Sequence, residues 1–144
     1  MGCDILVAVD VEADPEKVFE ALSTQKGLAS FWTRQSKAEP KVGSVATFQF
    51  PTAPVPCKMR IDALKKGKRV AWTCEGDFPN WKDTTVTWDL GESPNAQTRV
   101  MFRHGGWPEW YPDEEFASVN FVWAQVLGHL KGYVESGDPP PFFP

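Results

Sequence analysis

Apolar residues recur at helical spacing late in the chain. Phe116, Val119, Trp123, Val126, Leu127, Leu130 and Val134 share one face of a helix spanning 112–135, because side chains three and four apart stand above one another. Pro112 suits the first turn, and Asp113, Glu114 and Glu115 crowd the positive end of the dipole. Gly137 and then Pro139 stop the helix. Two residues disturb the stripe. Asn120 stands on it between Phe116 and Trp123, where a buried amide must bond the backbone or offer itself to a ligand or trapped water. Phe121 does not fit it, and loop cover is the only account the pattern offers.

Elsewhere the period is two. Residues 4–12 alternate, with Ile5, Val7, Val9 and Val11 against Leu6, Ala8 and Asp10, as in a half-buried strand. Asp14-Pro15-Glu16 caps a short helix with Val18, Phe19 and Leu22 inward, ending near Ser23. Thr24 recaps a second, marked by Leu28, Phe31 and Trp32. From Lys37 the pattern is β, with a strand at 44–50 and prolines 51, 54 and 56 setting a loop or sheet edge. Hairpins follow at 57–64 with 69–75, about Lys66-Gly67, and at 82–90 with 97–104, about Ser93-Pro94-Asn95. Val86, Trp88, Leu90, Val100, Phe102 and His104 face inward; Thr85, Thr87, Arg99 and Arg103 face out.

This order predicts an α+β domain over 1–137, in which a curved antiparallel sheet of about seven strands surrounds the last helix. The tail 138–144, Asp-Pro-Pro-Pro-Phe-Phe-Pro, is expected to run extended over the surface.

Composition narrows the chemistry. The chain has 144 residues and a net charge of −4, which excludes nucleic acid or anionic membrane as the main partner. The basic run 65–69 sits where a hairpin turn is expected and reads as a solvated turn rather than a phosphate site. No apolar run is long enough for membrane insertion and no leader segment precedes the first strand, so a cytoplasmic location is expected. Cys3, Cys57 and Cys74 lack ligand or disulfide spacing and read as small apolar residues in a reducing compartment. Seven tryptophans and ten phenylalanines beside two tyrosines either fill the core or line a cavity for a flat apolar ligand.

Several segments carry a family likeness. Asp14 to Leu22, Gly27 to Trp32, Val42-Gly43-Ser44, Lys68 to Trp72, Thr85 to Leu90, Thr98-Arg99-Val100, His104 to Trp107, and Trp123 to Leu127 with Leu130, Lys131 and Gly137 resemble, in that order, the activator-of-Hsp90-ATPase-like (AHSA1-like) branch of the START/Bet v 1-like (SRPBCC) superfamily. The resemblance implies the helix-grip fold and a hydrophobic cavity between sheet and helix. Placed on this sequence, that cavity would be lined by Trp32, Phe48, Phe50, Met59, Trp72, Trp88, Phe102, His104, Trp107, Asn120, Trp123 and Leu127.

Catalytic motifs are sparse. His104 is the one candidate acid–base group, or else a structural histidine bonded to the following loop; His129 lies on the helix flank. Gly105 to Tyr111 is either a glycine-hinged aromatic flap or a loop anchored by its aromatics. Metal binding fails for want of ligand spacing, nucleophilic catalysis for want of a motif, and no cofactor fingerprint is present. Glu75 and Glu109 show no spacing of a catalytic carboxylate pair. The first expectation is a carrier of a small hydrophobic, aromatic or lipid-like molecule. The alternatives the resemblance implies are a polyketide cyclase or dehydratase, with His104 as acid–base and Asn120 orienting a carbonyl, and an Hsp90-type co-chaperone. Either a monomer or a homodimer is compatible with the residues.

Overall fold

The computed structural model describes residues 4–78, 80–137 and 139–144; Cys3 and Asp138 lie outside them. Ten elements follow in order: β1 (Ile5–Val11), α1 (Pro15–Ser23), α2 (Gln25–Phe31), β2 (Ser36–Lys37), β3 (Val45–Phe48), β4 (Cys57–Lys65), β5 (Arg69–Glu75), β6 (Thr85–Glu92), β7 (Thr98–Gly105) and α3 (Asp113–Ser136). The strands form one seven-stranded antiparallel sheet in the order β1-β7-β6-β5-β4-β3-β2. It curls around α3, and the fold is the helix-grip. The first strand closes against the last, with Ile5 opposite His104 and Val11 opposite Thr98.

Alternation decides the faces. Met59, Ile61, Val70, Trp72, Val86, Trp88, Val100 and Phe102 are buried and meet Trp123, Val126, Leu127, Leu130 and Val134 of α3. The outer face carries ion pairs: Arg99–Asp10, Arg69–Asp89 and Arg103–Asp4. The β4–β5 register slips between Ile61 and Ala63, a bulge that adds twist and helps the sheet close.

The small helices turn on one glycine. An added Cβ on Gly27 would stand 2.3 Å from the Ala21 carbonyl oxygen, so only glycine lets α2 fold back on α1. Thr24 caps α2, its Oγ1 accepting from the Gly27 N–H at 3.1 Å. Asp14 holds the N-cap position of α1 without a side-chain capping bond.

Two strand boundaries and the course of the tail depart most from the pattern. The strand expected at 44–50 stops at Phe48, because the proline-bearing turn begins there. The strand expected from residue 82 begins at Thr85, since Asn80 and Asp83 adopt φ of 66° and 69°. The tail does not simply lie on the surface. The Phe142 and Phe143 amides donate to the Phe31 and Trp32 carbonyls at 3.1 and 2.8 Å, and the Arg34 amide donates to Phe143 O. Prolines 139–141 lack N–H groups, but the two phenylalanines keep theirs. They satisfy carbonyls that the end of α2 leaves without helical partners.

Candidate functional site

A cleft of about 220 Å³ opens at one end of the grip, between α3, the loop after β3, the loop before β6 and the tail. Trp32, Phe50, Phe78, Trp81, Trp123 and Phe143 form its walls, Val119 and Val122 line the α3 side, and Thr52 and Ser118 are its polar residues. The aromatics brace one another: Phe50 meets Phe143 at 4.9 Å and Phe78 at 5.6 Å between centroids, and Phe78 meets Trp81 at 4.9 Å. The site is thus a dry wall with few polar handles, suited to apolar contact and shape rather than to polarising a substrate.

The space expected between sheet and helix is otherwise filled by side chains. Trp32 stacks within 9° of Trp72 at 6.1 Å and lies 5.1 Å from Trp123; Phe102 lies 4.4 Å from Trp123 and 4.7 Å from Trp88. Phe48, Met59, Trp72, Trp88, Phe102 and Leu127 are fully buried in this cluster and outside the cleft lining. Four tryptophans use the volume that a cavity would need. Of the expected lining residues, the structure brings Trp32, Phe50 and Trp123 to the cleft.

His104 is completely buried, and every nitrogen of its ring is engaged. Trp123 Nε1 can only donate, so its 3.1 Å contact makes His104 Nδ1 an acceptor. Nε2 therefore carries the proton and donates to Thr84 Oγ1 at 2.9 Å, and the Thr84 hydroxyl in turn donates to the Trp81 carbonyl. Burial drives the imidazole pKa down to about 3, so it stays neutral. The chain runs from α3 through β7 into the loop that carries Trp81. It fixes two walls of the cleft, while His104 itself does not face it.

The residues after His104 form an anchored loop. Trp107 is buried, donates from Nε1 to the His104 carbonyl at 2.9 Å, lies 4.2 Å from its ring and stacks on Tyr111 at 4.6 Å. Gly105 belongs to β7, where an added Cβ would stand 2.5 Å from Asp4 Oδ1. A freely hinged flap is not what this packing describes.

Asn120 requires correction. It is exposed, not buried, because it stands at the edge of the stripe in the half of α3 where even Phe116 and Val119 are only half-buried. His129 is half-buried and its Nδ1 lies 2.8 Å from the Pro140 carbonyl, tying the tail to α3. Cys57 and Cys74 are buried free thiols; the hydrogen bond with Cys74, then burial, holds the Cys57 thiol well above its ordinary value.

Phe78, Trp81 and Phe143 are the cleft walls that sequence patterning missed. They sit in a loop and a tail, where alternation carries no information. Their only signal is the local density of aromatics, Phe78 to Trp81 and Phe142-Phe143.

No curated protein matches the chain. Among solved structures, the Aha1 dimer from Colwellia psychrerythraea is 31% identical, with a TM-score of 0.84 over 95% of this chain and 99% of that one. A protein from Staphylococcus saprophyticus is 22% identical, with a TM-score of 0.76 over 94% of this chain and 93% of that one. CalU16 from Micromonospora echinospora is 20% identical, with a TM-score of 0.68 over 96% and 77%; these last two likenesses concern the fold. The family model for activator of Hsp90 ATPase homolog 1-like protein matches residues 12–135, from before α1 through all but the last residue of α3, and the chain belongs to that family.

Proposed function

We propose that this protein binds a small, flat, apolar molecule in the cleft between Trp81, Phe50, Phe143 and α3. The observation that carries the reading is a wall of aromatics left open at about 220 Å³ beside the buried tryptophan cluster of the core. Ligand pockets commonly span ~300–1,000 Å³, so the cleft suits one or two fused rings rather than a long lipid. Covering ~200 Å² of apolar ligand surface offers about 5 kcal/mol before association costs, which corresponds to sub-millimolar binding at best. Buried free Cys57 and Cys74 support a reducing, cytoplasmic setting.

Titration with naphthalene or indole derivatives, followed by quenching of tryptophan emission and by the methyl resonances of Val119 and Val122, tests this. Saturable shifts confined to the cleft, abolished by Val122→Trp, support it. Shifts spread over the surface, or none across the series, overturn it.

A second reading, action on an Hsp90-type ATPase, is favoured by the 31% identical Aha1 relative. Stimulation of such an ATPase by the purified protein is its direct assay, and no stimulation at saturating protein removes it. From the same relative, described as a dimer, we carry over self-association. The cyclase reading loses its acid–base candidate while both nitrogens of His104 are engaged.

A further inference from the structure

The outward face of α3 is free of charged side chains over most of its length. Trp123, Val126, Leu127, Leu130 and Val134 point to the core; on the opposite side stand Ala117, Phe121, Ala124, Gln125 and Gly128, all exposed. A helix face turned to solvent ordinarily carries charge. Here no Asp, Glu, Lys or Arg occurs from Phe116 to Leu130, about four turns and some 22 Å of helix. The outer face of the sheet, by contrast, is laced with Arg–Asp pairs. In the middle of the uncharged face Phe121 is 65% exposed, held directly away from the core.

We propose that two copies of the chain meet along this face, antiparallel, about a twofold axis crossing α3 between Ala124 and Gln125. This rests on the self-association carried over above and assigns it a surface. A twofold contact must use one patch twice and be complementary to itself. Phe121 and Gly128 are equidistant from the axis, so the ring of each copy lies over Gly128 of the other. The space there is open, for a Cβ added to Gly128 would meet no atom within 4 Å. Knob and hole are on the same helix, two turns apart. Ala117 and Ala124 beside them let two helices approach to the ~8 Å of a close-packed pair.

The same geometry sets the strength. A helix face about 22 Å long and about 10 Å wide is a small footprint against the ~800 Å² per partner of a standard interface. The dimer therefore exchanges with monomer on dilution.

Sedimentation equilibrium from micromolar to millimolar protein tests the assignment, with Phe121→Glu, Gly128→Glu and Gln125→Cys alongside the parent chain. The parent is expected to pass from monomer to dimer. Each glutamate is expected to weaken pairing at least tenfold without lowering the Tm, since neither position supports the core and Gly128→Glu gains helix propensity. Gln125→Cys is expected to cross-link to itself with a short bismaleimide when the parent does not. A parent chain that stays monomeric throughout overturns the self-association and the surface together. A parent dimer that survives both glutamates, with no cross-link at position 125, overturns the surface alone.

Discussion

Trp123 Nε1 donates to His104 Nδ1 across 3.1 Å, and both side chains are buried. That one bond fixes the imidazole tautomer and joins α3 to β7 at the base of the cleft. The buried histidine also carries a pH signature. Its pKa falls from 6.5 to about 3 in the folded chain because burial disfavours the charged ring. The unfolded chain then binds a proton that the folded chain refuses. The stability contribution is complete above pH 6.5 and is lost as pH falls from there towards about 3, with a slope of ~1.4 kcal/mol per pH unit. Denaturant midpoints measured from pH 8 to pH 4 should show this slope, and His104→Gln should flatten it while lowering stability at pH 8.

The same bond separates two tryptophans that burial alone does not distinguish. Trp123 and Trp88 are 2% and 0% exposed, but the Trp88 indole N–H has no hydrogen-bond partner among the described residues. A Trp→Phe change removes similar volume at both. At 88 it also deletes a buried donor with nothing to bond; at 123 it strips His104 Nδ1 of its donor. Trp123→Phe should cost ~1–3 kcal/mol more than Trp88→Phe, read from urea midpoints at constant m. Equal losses would mean that the Trp123–His104 bond contributes nothing net.

What the sequence made legible was whatever periodicity controls. The α3 stripe, the inward set Val86, Trp88, Val100, Phe102 and His104, the proline that opens α1 and the Thr24 cap all follow from spacing, and together they specify the helix-grip. Whether the aromatics enclose a cavity or fill one does not follow, because it depends on how four tryptophan rings tile a common volume. Asn120 shows the limit within a helix: three and four residues from apolar neighbours, it still faces water, in the half of α3 where Phe116 and Val119 are themselves only half-buried. The tail shows the limit outside regular structure. Its prolines forbid a ladder, but Phe142 and Phe143 retain two donors, and only the fold brings them to the end of α2.

Gly27 should be among the least replaceable positions in the chain. A methyl group there would meet backbone atoms of Ala21 at 2.3 and 2.5 Å, and backbone cannot rotate aside as a side chain can. Gly27→Ala should destabilise by more than 2 kcal/mol despite the ~1 kcal/mol it gains in helix propensity. Because α2 carries Phe31 and leads into Trp32, near-ultraviolet dichroism should change along with the Tm.

Gly132 gives the sharpest test of the tail as a working part of the site. An added Cβ there would stand 2.6 Å from Pro139 Cγ, so alanine and the docked tail compete for one space. Release of the tail takes the Phe142 and Phe143 donors away from the Phe31 and Trp32 carbonyls and removes Phe143 from the cleft wall. Gly132→Ala should therefore destabilise the intact chain and expose the Phe142 and Phe143 amides to hydrogen exchange. In a chain truncated after Gly137 nothing opposes the new methyl group, and alanine's helix propensity should stabilise by ~1 kcal/mol. The sign of the substitution thus reverses with the tail present or absent, a coupling that a double-mutant cycle measures directly. The same sign in both backgrounds would mean that Pro139 yields without cost and that the tail does not hold the wall of the cleft.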